Sequence, residues 1–204
     1  KWRKPMEIEG LIIPQKWCDA LAECQLKDPT AIIAGGCLRD LYFGREPKDV
    51  DIFTGQLPDW PLLDESSFDY EGMQYVLGVA DYKRDDIKYN VIIVEPVAPN
   101  ILIETFDLGF CQIAFDGKSL IKSQAFLWDA KYQLITLCHT DRYSRSIRRY
   151  ARINERYNFD LIIPVLEKAN GNADQSTRIS GNIEERKQAS DGSTQANCRK
   201  RFNA

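Results

Sequence analysis

The chain has 204 residues and a formal net charge of −3, and 44% of its residues are hydrophobic while 28% are charged. This is the composition of a globular protein long enough to bury a substantial core, and it excludes a chain that binds nucleic acid through a surface that is basic overall. No apolar run approaches the roughly 18 residues that a membrane span requires, so we expect no membrane partner.

The first part of the chain alternates between helical and strand patterns. Trp17, Leu21 and Cys24 recur at helical spacing, and Gly44 is placed to cap a later helix. Periodicity and turn residues predict four elements: a helix over 14–24, a strand over 30–34, a helix over 37–43 and a strand over 48–53.

The second part continues with shorter elements. In chain order the predicted segments are a loop over 58–67, one or two strands over 68–79, a strand over 89–94, a helix over 100–105, a strand over 110–115, a strand and a segment leading into a helix within 121–137, and a basic helix over 141–157. In that last helix Tyr143, Ile147, Tyr150 and Ile153 are spaced for one apolar face. The polar segment 168–204 predicts a flexible or partner-dependent tail.

The segment 31–53 carries the residues best suited to chemistry. A strand ends at Gly35 and Gly36, where the small residues let backbone N–H groups approach a phosphate at the start of a helix. Asp49 and Asp51 alternate on the next strand, so their carboxylates point the same way. Either feature alone is common, but their order along the chain favours a phosphate-handling site.

Two carboxylates held side by side repel each other unless a cation lies between them. Mg²⁺ prefers such oxygen ligands and bridges to phosphates, so we expect Asp49 and Asp51 to bind Mg²⁺, with Mn²⁺ as an alternative. Arg39 and Lys48 lie close in sequence and could offset the charge of a triphosphate. These features indicate phosphoryl or nucleotidyl transfer assisted by two metal ions.

The motif has a close counterpart among known proteins. Residues 35–51 read G-G-C-L-R-D-L-Y-F-G-R-E-P-K-D-V-D. They resemble the pattern G-G-x-V-R-D-x-L-L-G-R-x-P-x-D-[IV]-D, the head-domain signature of the DNA polymerase β-type nucleotidyltransferase superfamily, in the branch of CCA-adding enzymes and bacterial poly(A) polymerases. The resemblance implies that Asp49 and Asp51 bind metal, that Gly35 and Gly36 hold the triphosphate, and that Arg39 and Asp40 organise the first helix.

Two later segments resemble the same family more distantly. Residues 106–116 are similar to its R-D-F-T-I-N-A-L-A-Y segment, which helps to bind the incoming nucleotide, and Asp107 falls on the motif's aspartate. Asp107 is our candidate for a third catalytic carboxylate, with Asp86 and Glu95 as alternatives. Such enzymes often carry that carboxylate on the strand 89–94, where this chain has Asn90. Arg149 and Arg152 keep the R-x-x-R spacing of the family's neck helix, which implies a nucleotide-binding role.

The basic helix concentrates positive charge in a chain of negative net charge. Its six arginines are Arg142, Arg145, Arg148, Arg149, Arg152 and Arg156. They suit contact with a triphosphate or with the backbone of RNA or tRNA, or equally a solvated face paired with Asp141 and Glu155. Six cysteines without a C-x-x-C pair, and a single histidine, do not fit a zinc site and favour a cytoplasmic compartment.

The expected fold is α/β (α+β): a nucleotidyltransferase head with a short mixed sheet and helices on one side, followed by a small helical element. The expected domains are a head over 1–140, a neck-like helix over 141–167 and the tail over 168–204. The expected function is transfer of a nucleoside monophosphate from a nucleoside triphosphate to a hydroxyl of RNA, a small molecule or a protein. The alternatives are an inactive scaffold that binds nucleotide, RNA or a protein partner, and an AMP-adding toxin that acts on protein.

Overall fold

A computed structural model describes residues 5–64 and 73–164 of the chain. The strands in these residues are β1 Met6–Ile8, β2 Leu11–Ile13, β3 Ile32–Ala34, β4 Val50–Thr54, β5 Leu62–Asp64, β6 Val76–Arg84, β7 Ile87–Val94, β8 Ile113–Phe115, β9 Leu120–Lys122, β10 Leu134–Thr136 and β11 Asp160–Ile162. The α-helices are α1 Gln15–Lys27, α2 Gly36–Tyr42, α3 Pro99–Glu104, α4 Gln124–Tyr132 and α5 Tyr143–Tyr157. A 3-10 turn covers Gly109–Cys111.

Seven strands form one mixed sheet in the order β5-β6-β7-β4-β3-β8-β9. Strands β4 and β7 run parallel, and the other neighbouring pairs of this sheet are antiparallel. Two smaller pairs lie outside it, with β1 antiparallel to β2 and β10 parallel to β11. The predicted α/β fold with a short mixed sheet is confirmed.

Apolar clusters cover both faces of the sheet, so the prediction that helices lie on one side is wrong. Ile33 belongs to the cluster that includes buried residues of α1 and α2, while its neighbour Ile32 belongs to the cluster that includes buried residues of α3 and α5. Because successive side chains of a strand point to opposite faces, a strand that is buried throughout needs cover on both.

Most predicted elements recur with shifted ends, and two differ in kind. The predicted loop 58–67 contains β5, which joins the edge of the sheet beside β6. The predicted strand 110–115 begins with the 3-10 turn and is extended only from Ile113. Part of the predicted strand region 68–79 and the whole predicted tail 168–204 lie outside the described residues.

Helix α5 packs against the body through a narrower face than its sequence suggests. Ser146, Ile153 and Tyr157 are buried. Tyr143 was placed on this face by its spacing, but it is the first residue of the helix and 47% of it is exposed, which corrects that prediction. Across the described ranges, no helix has the length and apolarity needed to cross a membrane.

Candidate active site

The carboxylates of Asp49 and Asp51 line one cleft of about 230 Å³. Asp49 directly precedes β4 and Asp51 is its second residue, so the alternation of the strand turns both towards the same side. Both residues are half-buried. The sequence-predicted residues that line this cleft are Gly36, Arg39, Lys48, Asp49, Asp51, Arg149 and Arg152.

The two glycines join β3 to α2 at the edge of this cleft. Gly35 has a φ of +88°, a backbone conformation that L side chains rarely adopt, and its N–H donates to the carbonyl of Ile113 at 2.9 Å. A Cβ built on Gly35 would lie 3.8 Å from Asp51 Oδ2, so the glycine turn and that carboxylate oxygen face each other. The first N–H groups of α2 have no partner within the helix, as at every helix start.

Arg39 is buried, with 7% of its surface exposed, and it is held by neighbours rather than directed into solvent. Its Nε and NH2 donate to Asp40 Oδ1 at 2.8 and 2.6 Å, and its NH1 donates to Cys111 Sγ at 3.2 Å. A Cβ on Gly36 would come within 3.4 Å of Arg39 NH2. The guanidinium therefore supports the glycine turn from one side, in keeping with the organising role that the motif implied.

Asp40 connects α2 to the end of α5. In addition to Arg39, it accepts hydrogen bonds from Arg156 NH1 at 2.6 Å and from Tyr157 Oη at 2.7 Å. Burial, and then the hydrogen bond to Asp40, raise the pKa of Tyr157 to about 12. Two cations and one phenol thus share a single buried carboxylate.

A row of polar side chains crosses three strands next to the cleft. Asp51 on β4 is paired with Asn90 on β7, and Asn90 is paired with Asp81 on β6. The Asn90 Nδ2 donates to Asp51 Oδ1 at 2.7 Å. Lys88 Nζ lies 2.8 Å from Asp81 Oδ2. The hydrogen bond to Asp81, and the nearby charges of Asp49 and Asp51, raise the pKa of Lys88.

The structure places Asp107 apart from Asp49 and Asp51, in the lining of a different cavity, which corrects its prediction as a third carboxylate beside them. Asp107 lines a separate cavity of about 90 Å³, accepts a hydrogen bond from Ser146 Oγ at 2.8 Å and forms an ion pair with Arg149. These two contacts direct its carboxylate to α5. Within residues 5–64 and 73–164, no group of three or more His, Cys, Asp or Glu side chains is close enough to hold a metal ion.

Helix α5 forms the basic wall of the cleft. Arg149, Arg152 and Arg156 line it, spaced three and four residues apart so that they share one side of the helix. Lys48, which precedes Asp49, lines the same cleft and is exposed. These cations face the two carboxylates across a space suited to a phosphate chain with a bound cation.

Sequence reasoning missed Lys88 and Asp81. The predicted strand 89–94 began one residue too late to include Lys88, although alternation with Asn90 would have placed both on one face. Asp81 could not be found in the same way because its alignment with Asn90 depends on the pairing register of β6 and β7, which no local pattern fixes.

The oxygen donors of Asp49 and Asp51 fit a divalent cation. Both carboxylates end on the same side of β4, one cleft gives access to them, and the opposite wall is cationic and suited to the anion that such a cation would bring.

No protein-family model matches the chain, and no curated protein matches it in sequence. Solved structures do match the fold. The CCA-adding enzyme of Thermotoga maritima, solved with tRNA, superposes with a TM-score of 0.56 and 16% identity over 79% of this chain and 43% of that enzyme. The Bacillus stearothermophilus CCA-adding enzyme, solved with CTP, superposes with a TM-score of 0.54 and 20% identity, over 72% of this chain and 40% of that enzyme.

A structure described as an apo form of a tRNA-processing enzyme gives a TM-score of 0.55 with 21% identity, over 78% of this chain and 46% of that protein. The chain therefore shares its fold with part of these CCA-adding and tRNA-processing enzymes. The chain spans less than half the length of these solved proteins.

Proposed function

We propose that the protein transfers a nucleoside monophosphate from a nucleoside triphosphate to a hydroxyl acceptor. In this reaction the acceptor oxygen bonds to the α-phosphorus, the bond from that phosphorus to the bridging oxygen breaks, pyrophosphate leaves and the hydroxyl proton is lost to solvent. The observation that carries the proposal is the shared cleft, where Asp49 and Asp51 lie opposite the arginines of α5 beside the glycine turn.

Each wall of the cleft has a part in this reaction. Asp49 and Asp51 would hold Mg²⁺, or Mn²⁺ in its place, which neutralises phosphate charge and lowers the pKa of a bound hydroxyl. Gly35 and Gly36 leave the start of α2 free of side chains, so a phosphate can approach the backbone. Arg152 and Lys48 offset the remaining charge of the triphosphate, while Arg149 is oriented by its ion pair with Asp107.

We propose RNA as the acceptor class. The net charge of the chain is negative, yet α5 concentrates six arginines in residues 142–156, which gives a local surface suited to a phosphate backbone. The solved structures that share the fold include one with tRNA and one with CTP. Transfer to protein, as by an AMP-adding toxin, or to a small molecule remains a competing outcome of the test.

The test uses each of the four nucleoside triphosphates labelled at the α-phosphate, with Mg²⁺ and total RNA or cell lysate. We expect label in material that ribonuclease digests, and none with the Asp49→Ala/Asp51→Ala variant. Asp59→Asn serves as a control, because Asp59 is exposed and forms a surface ion pair with Lys27. Equal labelling by wild type and the double variant would contradict catalysis at this site, and label released only by protease would shift the acceptor to protein.

A second function, nucleotide binding without turnover, is favoured by one observation. Asn90 stands where the family often has a carboxylate, and its amide occupies one oxygen of Asp51. Phe106 and Cys111 also depart from the family's nucleotide-binding segment. An inactive scaffold would bind labelled triphosphate in a metal-dependent way and yield no product with any acceptor, whereas the enzyme would release pyrophosphate.

A further inference from the structure

The two oxygens of Asp51 face different surroundings. Oδ2 lies on the side of the glycine turn, 3.8 Å from the position of a Cβ on Gly35. Oδ1 accepts a hydrogen bond of 2.7 Å from the side-chain amide of Asn90. One side of this carboxylate therefore faces the region of the proposed phosphates, while the other side faces an N–H donor on the neighbouring strand.

The side of Asp51 that faces Asn90 is poorly suited to a cation. The amide hydrogen carries partial positive charge at the position where a second cation would have to share Asp51, and a neutral amide adds no negative charge to bind it. Two divalent ions held about 4 Å apart normally rely on a carboxylate that bridges them and on further carboxylates around them. The third acid that lines the cleft, Asp40, is already bound by Arg39, Arg156 and Tyr157. Asp49 and Asp51 would therefore have to hold both ions.

The next position along the row, beyond Asn90, holds a carboxylate that is already paired with a lysine. Asp81 lies one strand beyond Asn90, in register with it, and is 8% exposed. Its carboxylate is bound by Lys88 Nζ at 2.8 Å, so it is already neutralised by a cation that belongs to the chain. Lys88 and Asn90 are two residues apart on β7 and therefore project from the same face of the sheet.

We infer that this site binds one divalent cation per chain, on the glycine side of Asp51, and that the Asn90 amide takes the Asp51 oxygen that a second cation would need. This inference rests on the proposed function. Asn90 would then determine how many metal ions the cleft binds, which gives a role to the residue that replaces the family's carboxylate.

Electron paramagnetic resonance of bound Mn²⁺ tests the stoichiometry directly. The protein is titrated with Mn²⁺ alone and with the α,β-methylene analogues of ATP and CTP, with samples lacking protein as blanks. We expect one magnetically isolated Mn²⁺ per wild-type chain. We expect Asn90→Asp to bind two, with the spin coupling of ions about 4 Å apart. Asn100→Asp makes the same chemical change at an exposed position of α3 and should behave as wild type.

Each outcome decides the inference. A coupled pair in the wild-type protein would overturn it while leaving the proposed function intact, and so would Asn90→Asp that folds but still binds a single ion. Wild type that retains no more Mn²⁺ than Asp49→Ala/Asp51→Ala would overturn the inference and the proposed function together. The wild-type spectrum is sufficient by itself, so the inference stays testable even if Asn90→Asp does not fold.

Discussion

Replacement of Asp40 by asparagine should lower the free energy of unfolding, although the two side chains have the same shape. The side chain of Asp40 is 4% exposed and accepts hydrogen bonds from Arg39, Arg156 and Tyr157. Asparagine keeps one acceptor oxygen, removes the negative charge and directs an NH₂ group towards existing donors. The buried guanidinium of Arg39 then loses its main counter-charge.

The expected loss can be worked from these contacts. Removal of one partner of a buried ion pair costs about 3–5 kcal/mol because the other charge remains buried. Arg156 is 30% exposed and can be hydrated, so its share is smaller than that of Arg39. We therefore expect Asp40→Asn to lower the free energy of unfolding by roughly 3–4 kcal/mol. Tyr157→Phe removes one hydroxyl donor and should cost about 1 kcal/mol.

Urea denaturation followed by circular dichroism measures these differences. Asp59→Asn is the matched control, because the side chain of Asp59 is 89% exposed and its ion pair with Lys27 should contribute no more than about 0.5 kcal/mol. A loss below about 1 kcal/mol for Asp40→Asn would refute the reasoning. It would mean that the contacts of Arg39 with Cys111 and with the rings of Phe110 and Tyr157 stabilise the buried charge without the carboxylate.

Three further predictions concern other parts of the molecule. Burial raises the pKa of Asp129 to about 6, so the folded state takes up a proton at higher pH than the unfolded state. The contribution of Asp129 to stability is present below about pH 4 and is lost as pH rises to about 7. Over that range the free energy of unfolding should fall by about 3 kcal/mol more in wild type than in Asp129→Asn. Parallel pH profiles of the two proteins would contradict this. Gly109→Ala would place a Cβ 2.9 Å from Ala125 Cβ and from Asp129 Oδ2, and should cost about 1–3 kcal/mol in urea denaturation, whereas an unchanged midpoint would show that α4 can shift. Arg152→Gln should weaken triphosphate binding by about 1 kcal/mol, roughly fivefold in a titration with a labelled triphosphate. The control Arg148→Gln, on the exposed side of α5, should leave binding unchanged. Equal effects of the two substitutions would mean that the general positive charge of the helix, rather than the cleft, determines binding.

Local patterns predicted the part of the site that is local in sequence. The strand period placed Asp49 and Asp51 on one side, and the Gly-Gly turn was expected between β3 and α2, because both depend on residues a few positions apart. The position of Asp107 could not be predicted in this way. Asp107 was chosen because it falls on the aspartate of a nucleotide-binding motif, but contacts with Ser146 and Arg149, some 40 residues later, decide where its carboxylate points.

The sheet shows the same limit. Strand β5 was missed because proline and acidic residues around 58–67 indicate a loop, whereas the strand forms by pairing with the edge of β6. The helices were predicted on one side of the sheet, because periodicity does not specify the connections that decide which face each helix covers. Helix α5 was found by its spacing, and its buried face shifted because Tyr143 lies at the helix start.

Helix α5 is fastened to the body near both ends, by Asp107 with Ser146 and Arg149, and by Asp40 with Arg156 and Tyr157. Arg149 and Arg156, two of the three arginines that line the cleft, are held by these contacts, so they would lose little side-chain entropy on binding the proposed triphosphate. These contacts would also couple the stability of α5 to the affinity of the cleft for the proposed triphosphate, two properties that are separate in many enzymes. Loss of the contacts at either end of α5 would displace the whole basic wall of the cleft. The temperature at which the protein loses affinity for the proposed substrate would then be the temperature at which this helix unfolds.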